Sequence, residues 1–186
     1  MVKLPKRRRG IGTVITTLII LIASVALAAG VVFFGGSMFE TSAKFESIKT
    51  YNSHVWTSST GPSVAAFVVQ NTGDTAVSVQ QITLRGQAVP FTSWYYNNTA
   101  SVATTENVMK ELRFDSSLTG IDVSGDLAEE QFSQASGAIT LEQGQAMFVY
   151  LENPAGISML DAGFDVSLGV HAGKSVATEM VHVTTI

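Results

Sequence analysis

The run IGTVITTLIILIASVALAAGVVFFGGSMF, residues 11–39, holds no charged residue in 29 positions. As an α-helix it measures about 43 Å, against about 30 Å for the hydrocarbon core of a bilayer. It contains no proline, and beyond Gly12 its glycines gather at Gly30 and Gly35–Gly36. It is apolar on every face, so it must be buried on every side, in lipid or in protein. The charge is arranged around this rod. Residues 1–10 carry Lys3, Lys6, Arg7, Arg8 and Arg9 and no acid. Residues 40–186 carry the other six basic residues and all fifteen acids, a net charge of −9. A basic head, an apolar rod and an acidic body follow one another. The basic head predicts a cytoplasmic N-terminus, with the body translocated outward.

The whole chain has 186 residues, enough for one ordinary domain and an appendage. Only 14% of residues are charged, which argues against a disordered chain and against a nucleic-acid binder. There is no cysteine. That excludes disulfides, thiolate zinc sites, cysteine-ligated clusters and cysteine nucleophiles.

Three readings of the rod stand side by side. It is a cleaved secretory signal with Ala26-Leu27-Ala28 as the cutting site, a permanent single-span anchor, or a segment whose leader is cut off in front of it. The first leaves Ala29-Gly30-Val31-Val32-Phe33-Phe34 as an apolar mature N-terminus and exceeds a usual signal core of about 7–15 residues. The third rests on a likeness. Lys6-Arg7-Arg8-Arg9-Gly10, followed at once by Ile11-Gly12-Thr13-Val14-Ile15, resembles the class III leader of archaeal type IV pilins and archaellins. The resemblance covers about the first 40 residues. It implies that a prepilin peptidase cuts between Gly10 and Ile11, reading Arg8 and Arg9 before the cut. In archaellins the Gly-Ile-Gly-Thr string often lies a few residues beyond the cut. Bacterial pilins usually carry glutamate at mature position five, where this chain has Ile15. The match is therefore to the archaeal branch.

Past the rod, Phe45, Ile48 and Tyr51 recur at spacing three, which extends the helix or marks an exposed linker over Glu40–His54. Ser58-Ser59-Thr60-Gly61-Pro62 is a breaker and sets the start of the globular part. The expected division is a leader over 1–10, a hydrophobic helix and linker over 11–54, and a β-domain over 55–186. Within the last, Val64–Val69 and Ala76–Leu84 read as a hairpin turning at Asn71-Thr72-Gly73-Asp74. The apolar parity of the second strand shifts, which predicts a bulge near Gln80-Gln81. Further strands are expected over 138–141, 146–151, 164–172 and 175–185, and a short helix within 122–136, capped by Asp126 with Glu129. Short strands between turn signals favour a sandwich. The fold class is α+β: a long apolar N-terminal helix followed by an Ig-like antiparallel β-sandwich, the Ig-like likeness resting on the stretch AAFVVQNTGDTAVSVQQITLRG.

The body offers little chemistry. A hairpin turning at Gly173-Lys174 pairs Ala172 with Ser175, His171 with Val176 and Asp165 with His182. The two imidazoles then stand too far apart to share an ion, and Glu179 falls on the inward face. Asp115, Asp122, Asp126, Glu129 and Glu130 form a loose acidic group without an EF-hand spacing. Nucleophile-elbow, zincin, P-loop and dinucleotide strings are all missing. Trp94-Tyr95-Tyr96 reads as an adhesive tip or, more simply, as packing. Asn97-Asn98-Thr99 is a sequon, with Asn97 the candidate glycan acceptor.

These features point away from an enzyme, a cofactor, a metal site or a nucleic-acid partner. The resemblance implies a structural subunit of a type IV pilus-like filament at the cell surface, anchored in the cytoplasmic membrane as a precursor. Its partners would be copies of itself, the prepilin peptidase and a pilus assembly machinery. Leu18, Ile19, Ile22, Leu27, Phe33 and Phe34 would sit in the filament core. The rival is a single-span, membrane-anchored β-sandwich binding module.

Overall fold

The computed structural model describes residues 8–43, 45–98, 112–115, 117–118, 120–121 and 130–186. The chain divides into two units, Met1–Lys44 and Phe45–Ile186. The described part of the first is one helix, α1, Arg8–Ala43. It holds five Ala and three Leu against five Gly and thirteen β-branched Ile, Val and Thr, so intrinsic propensity alone does not account for it. The helix runs without interruption through Ala26-Leu27-Ala28 and through Gly35–Gly36.

The second unit is built of β1 (Ile48–Thr57), β2 (Val64–Asn71), β3 (Val77–Leu84), β4 (Gln87–Ala88), β5 (Trp94–Asn97), β6 (Gly120–Ile121), β7 (Glu130–Gln131), β8 (Ser133–Gln134), β9 (Ile139–Leu141), β10 (Ala146–Glu152), β11 (Asp165–Ala172) and β12 (Ser175–Thr185). Nine of them hydrogen-bond in the order β4-β3-β11-β12-β1-β2-β10-β5-β8, with β9 also paired to β3; β6 and β7 form a separate ribbon. Every pairing is antiparallel except β1 with β12, joined in parallel through Val55–Val183, Trp56–Thr184 and Thr57–Thr185. The α+β class and the mostly antiparallel sheet are as expected. The two separate layers of an Ig-like sandwich are replaced by one continuous sheet curled into a half-barrel. The parallel joint between β1 and β12 is what makes it continuous.

Curling brings the two ends of the sheet face to face over an apolar core. Phe67, Val149 and Leu151 from one half meet Ile82, Leu168 and Val170 from the other. Around β2 the sheet is buried on its outer face as well. There Val64, Val68, Phe148 and Tyr150 pack beneath Leu112, Leu118, Ile121 and Phe132. This double cover explains why β2 is an unbroken apolar run rather than an alternating one.

Several expectations met the structure closely. The β11–β12 register pairs Asp165 with His182, His171 with Val176 and Ala172 with Ser175. Glu179 does point inward, and no bulge relieves it. Its Oε2 instead accepts hydrogen bonds from Thr50 (3.0 Å) and Ser53 (2.8 Å) on β1. The ladder of β3 with β11 skips a residue at Gln80, at the expected bulge.

Others are corrected. β2 and β3 do not pair. β2 lies between β1 and β10, and the Asn71–Asp74 turn carries the chain across to the other half of the sheet. That turn is fixed by Asn71, whose buried amide donates to the carbonyls of Thr75, Leu141 and Glu142. The linker over 40–54 is also revised. From Ile48 it is β1, flanked by strands on both sides, and Ser58–Gly61 is the β1–β2 connection rather than a domain boundary. Thr50, Tyr51, Val55, Trp56 and Thr57 are β-branched or aromatic, and their preference for a pleated surface prevails over the apolar spacing of three. Phe164, the first residue of the strand expected over 164–172, lies outside β11 and is exposed. Residues 122–129, where the short helix was expected, lie outside the described residues; Glu130–Gln131 and Ser133–Gln134 are strands.

Candidate functional site

The feature of the first unit that demands a partner is the surface of α1. Gly12–Met38, 27 residues, is long and apolar enough to cross a membrane, and none of it is buried within the protein. Among its large side chains exposure runs from 54% at Ile15 to 82% at Phe33. Leu18, Ile19, Ile22, Leu27, Phe33 and Phe34 all belong to this uncovered set, which as a whole is spread around the helix rather than along one stripe. A helix that is apolar all round is stable only when something apolar surrounds it.

The few polar side chains of the rod are compatible with such surroundings. Thr16 Oγ1 donates to the Gly12 carbonyl (2.8 Å), Thr17 Oγ1 to Val14 (2.9 Å), Ser24 Oγ to Ile20 (2.7 Å) and Ser37 Oγ to Phe34 (2.9 Å). Each hydroxyl is satisfied by its own helix, so a dry environment strips water from it at little cost. Arg8, Arg9, Gly10 and Ile11 form the first turn of α1. Backbone N–H groups of a first turn have no partner inside the helix.

In the second unit the sequence-nominated groups are engaged structurally. His182 Nδ1 and Asp165 Oδ1 lie 2.8 Å apart on an exposed cross-strand pair, and His171 stands six residue pairs along the ladder, about 20 Å away. No group of three potential metal ligands occurs among the described residues. Of the loose acidic group, Asp115 is described, and its Oδ1 accepts the Ser117 N–H (2.7 Å). The aromatic run is packing, not a tip. Trp94 is buried with Nε1 donating to the Val89 carbonyl (3.1 Å), and Tyr95 donates to Glu152 (3.2 Å). Asn97 is 4% exposed, and its Nδ2 donates to the Gln131 carbonyl (3.0 Å). A glycan on that nitrogen requires this contact to open.

Two constellations escaped the sequence reading. The first ties down the entry to the β unit. The carbonyl of Ser47 accepts Thr72 and Gly73 N–H groups, and the Glu46 carboxylate accepts the Lys174 N–H at the β11–β12 turn. Gly73 is required there, because a Cβ would lie 2.5 Å from the Phe45 carbonyl oxygen. The second holds the loop before β11. Asp161 is buried and accepts from Ser158 N–H (2.8 Å), Ser158 Oγ (3.0 Å) and the Arg85 guanidinium. The pattern Ser158-x-x-Asp161 is a capping-box signal that was available in the sequence.

The Ser158 N–H, then its hydroxyl and the Arg85 charge, hold the Asp161 carboxyl below the usual carboxylate range, against the opposing effect of burial. A depressed folded-state pKa stabilises the protein above the unfolded value of about 3.9 and loses that contribution as pH falls through the folded value. Asp161→Asn is therefore expected to cost about 1–3 kcal/mol at pH 7. It should also flatten the loss of stability on acidification below about pH 4. Urea unfolding at several pH values, followed through Trp56 and Trp94, checks both effects.

No protein-family model matches the chain, and no curated protein matches it.

Proposed function

We propose that the protein is a structural subunit of a type IV pilus-like filament, with α1 as the shared core and the β unit as the outer surface. On this reading the curled sheet takes the place of the Ig-like body that the resemblance implies. The observation that carries the proposal is the uncovered rod: 27 residues, uncharged, apolar on all faces, attached to a β unit with a complete core of its own. Lipid covers the rod in the monomer, and neighbouring rods cover it in the filament. Exchange between the two surroundings moves no charge out of water, and the self-satisfied hydroxyls of Thr16, Thr17, Ser24 and Ser37 remove the remaining polar obstacle. A head-to-tail contact that does not close on itself then extends into a helical fibre.

Processing is the direct test. The proposal expects a mature chain beginning at Ile11, and N-terminal sequencing of protein from producing cells reads it. A start at Met1 supports the permanently anchored binding module, and a start at Ala29 an ordinary secreted protein. Replacing Gly10 with a bulky residue, Gly10→Phe, should leave full-length precursor in the membrane. Normal maturation of that variant would refute the leader assignment.

A further inference from the structure

We infer that the outer face of β3, β11 and β12 is a body-to-body contact, and that its occupant is the β unit of a second copy of this chain. The inference rests on the filament reading for the identity of the partner. The contact itself is argued from three observations.

The first is where apolar surface is left in water. Leu160 is 87% exposed, Phe164 67% and Met180 62%, and Met159, next to Leu160 in the chain, is exposed too. Leu160, Phe164 and Met180 line one open cavity of about 460 Å³ together with Val166, Arg85 and Asp165. These side chains are not on a loose loop. The Ser158–Asp161 capping box and the Arg85–Asp161 pair hold the turn that carries Leu160, and Phe164 is held by its N–H donating to the Asp161 carbonyl and its carbonyl accepting the Val183 N–H. A braced display of large apolar groups lowers the ordering cost of binding.

The second is charge. The β unit, residues 45–186, has five basic and fourteen acidic residues, a net −9. Two such bodies repel wherever their acidic surfaces meet. Among the outward positions of β3, β11 and β12, Asp165 is the single carboxylate, and it faces His182. The neighbouring Asp161 is paired with Arg85. On this acidic body the face is nearly neutral, so a second acidic copy can approach it without like-charge juxtaposition.

The third is position. The chain enters the β unit at Phe45–Ser47, beside the Gly173–Lys174 turn held by Glu46. The patch lies at the other end of the β11–β12 hairpin, about 20 Å away. Four apolar side chains fall short of the roughly 20–30 residues a side of a stable free interface. The contact is therefore weak for isolated bodies and forms when rods hold copies at high local concentration.

The test places a photo-crosslinking benzoylphenylalanine at Leu160 in the full chain, in producing cells, with the same group at exposed Gln143 as control. The expected result is a light-dependent adduct of twice the subunit mass, mapping to residues 45–186 of a second copy. Adding Phe164→Ser and Met180→Thr should lower its yield by about tenfold without shifting thermal unfolding, since both side chains are exposed. Adducts to lipid, to another protein or to the rod, or a yield no greater than from Gln143, would overturn the contact. Electron micrographs of the same cells separate the two readings. Filaments without the adduct would remove the contact and keep the filament; the adduct without filaments would do the reverse.

Discussion

Cells making Ile22→Asp should insert the protein in the membrane, fold its β unit and form no filaments. Ile22 sits midway along the uncovered rod and is 58% exposed in the isolated chain. In the bilayer an aspartate there costs about 3 kcal/mol, and the remaining uncharged residues of 11–39 retain enough apolar length to keep the helix inserted. In the proposed filament the position would be surrounded by other rods. There the carboxylate finds neither water nor a basic partner, because residues 11–39 contain no charged side chain in any copy. Every subunit would then bury an unpaired ion, or take up a proton and still lose packing, and the penalty recurs at each addition. The control is Gln143→Asp on the exposed turn before β10, which should assemble normally. Membrane fractionation, a near-ultraviolet spectrum of the β unit and negative-stain imaging give the three readouts. Normal filaments from Ile22→Asp would show that the rod is not the core, and the anchored binding module would become the better account.

How far the sequence reached depends on whether a feature is local. The rod was legible because an uncharged apolar run needs no tertiary information. The β11–β12 hairpin was legible to the residue because Gly173-Lys174 fixes the turn, and period-two alternation fixes the rest. The role of Glu179 was not, because its partners Thr50 and Ser53 are about 130 positions away on β1. The same reason accounts for the false β2–β3 hairpin. Two strands joined by a short turn usually pair, but here the continuous apolar run of β2 is buried on both faces between β1 and β10. Nothing local distinguishes that arrangement from a hairpin with one buried face. Phe164 continues the period-two spacing of the buried Val166, Leu168 and Val170, yet it is exposed. The chain leaves the ladder at Gly163, where φ is +82° and the loop braced by Asp161 takes over. Of the candidate site, the rod and its chemistry were therefore readable, and the neutral apolar face of the body was not. That face exists only once β3 lies beside the β11–β12 hairpin, from which it is distant in sequence.

The position of β1 carries the other large effect. A fragment of residues 45–186 should fold as a soluble β-rich domain, whereas residues 55–186, the division suggested by the Ser58–Pro62 breaker, should not. The shorter fragment removes Ile48 from the core and deletes the register pairs Ile48–Asn71, Lys49–Gln70, Thr50–Val69 and Tyr51–Val68. It strips Thr50 and Ser53 from the inward-pointing Glu179 and removes the Ser47 carbonyl from the Asn71–Asp74 turn. Loss of a buried isoleucine alone costs about 2–5 kcal/mol. Leaving a partly buried carboxylate without its donors adds about 1–3 kcal/mol, before the lost ladder is counted. Together these approach the whole stability of a domain of this size, about 5–15 kcal/mol. The opened sheet would also expose the edges of β2 and β12 to pairing with other chains. Far-ultraviolet circular dichroism, thermal melts and size-exclusion chromatography of the two fragments decide the matter. A cooperative melt from residues 55–186 equal to that from residues 45–186 would show that β1 before Val55 is dispensable, and that the chain between rod and body is a linker after all.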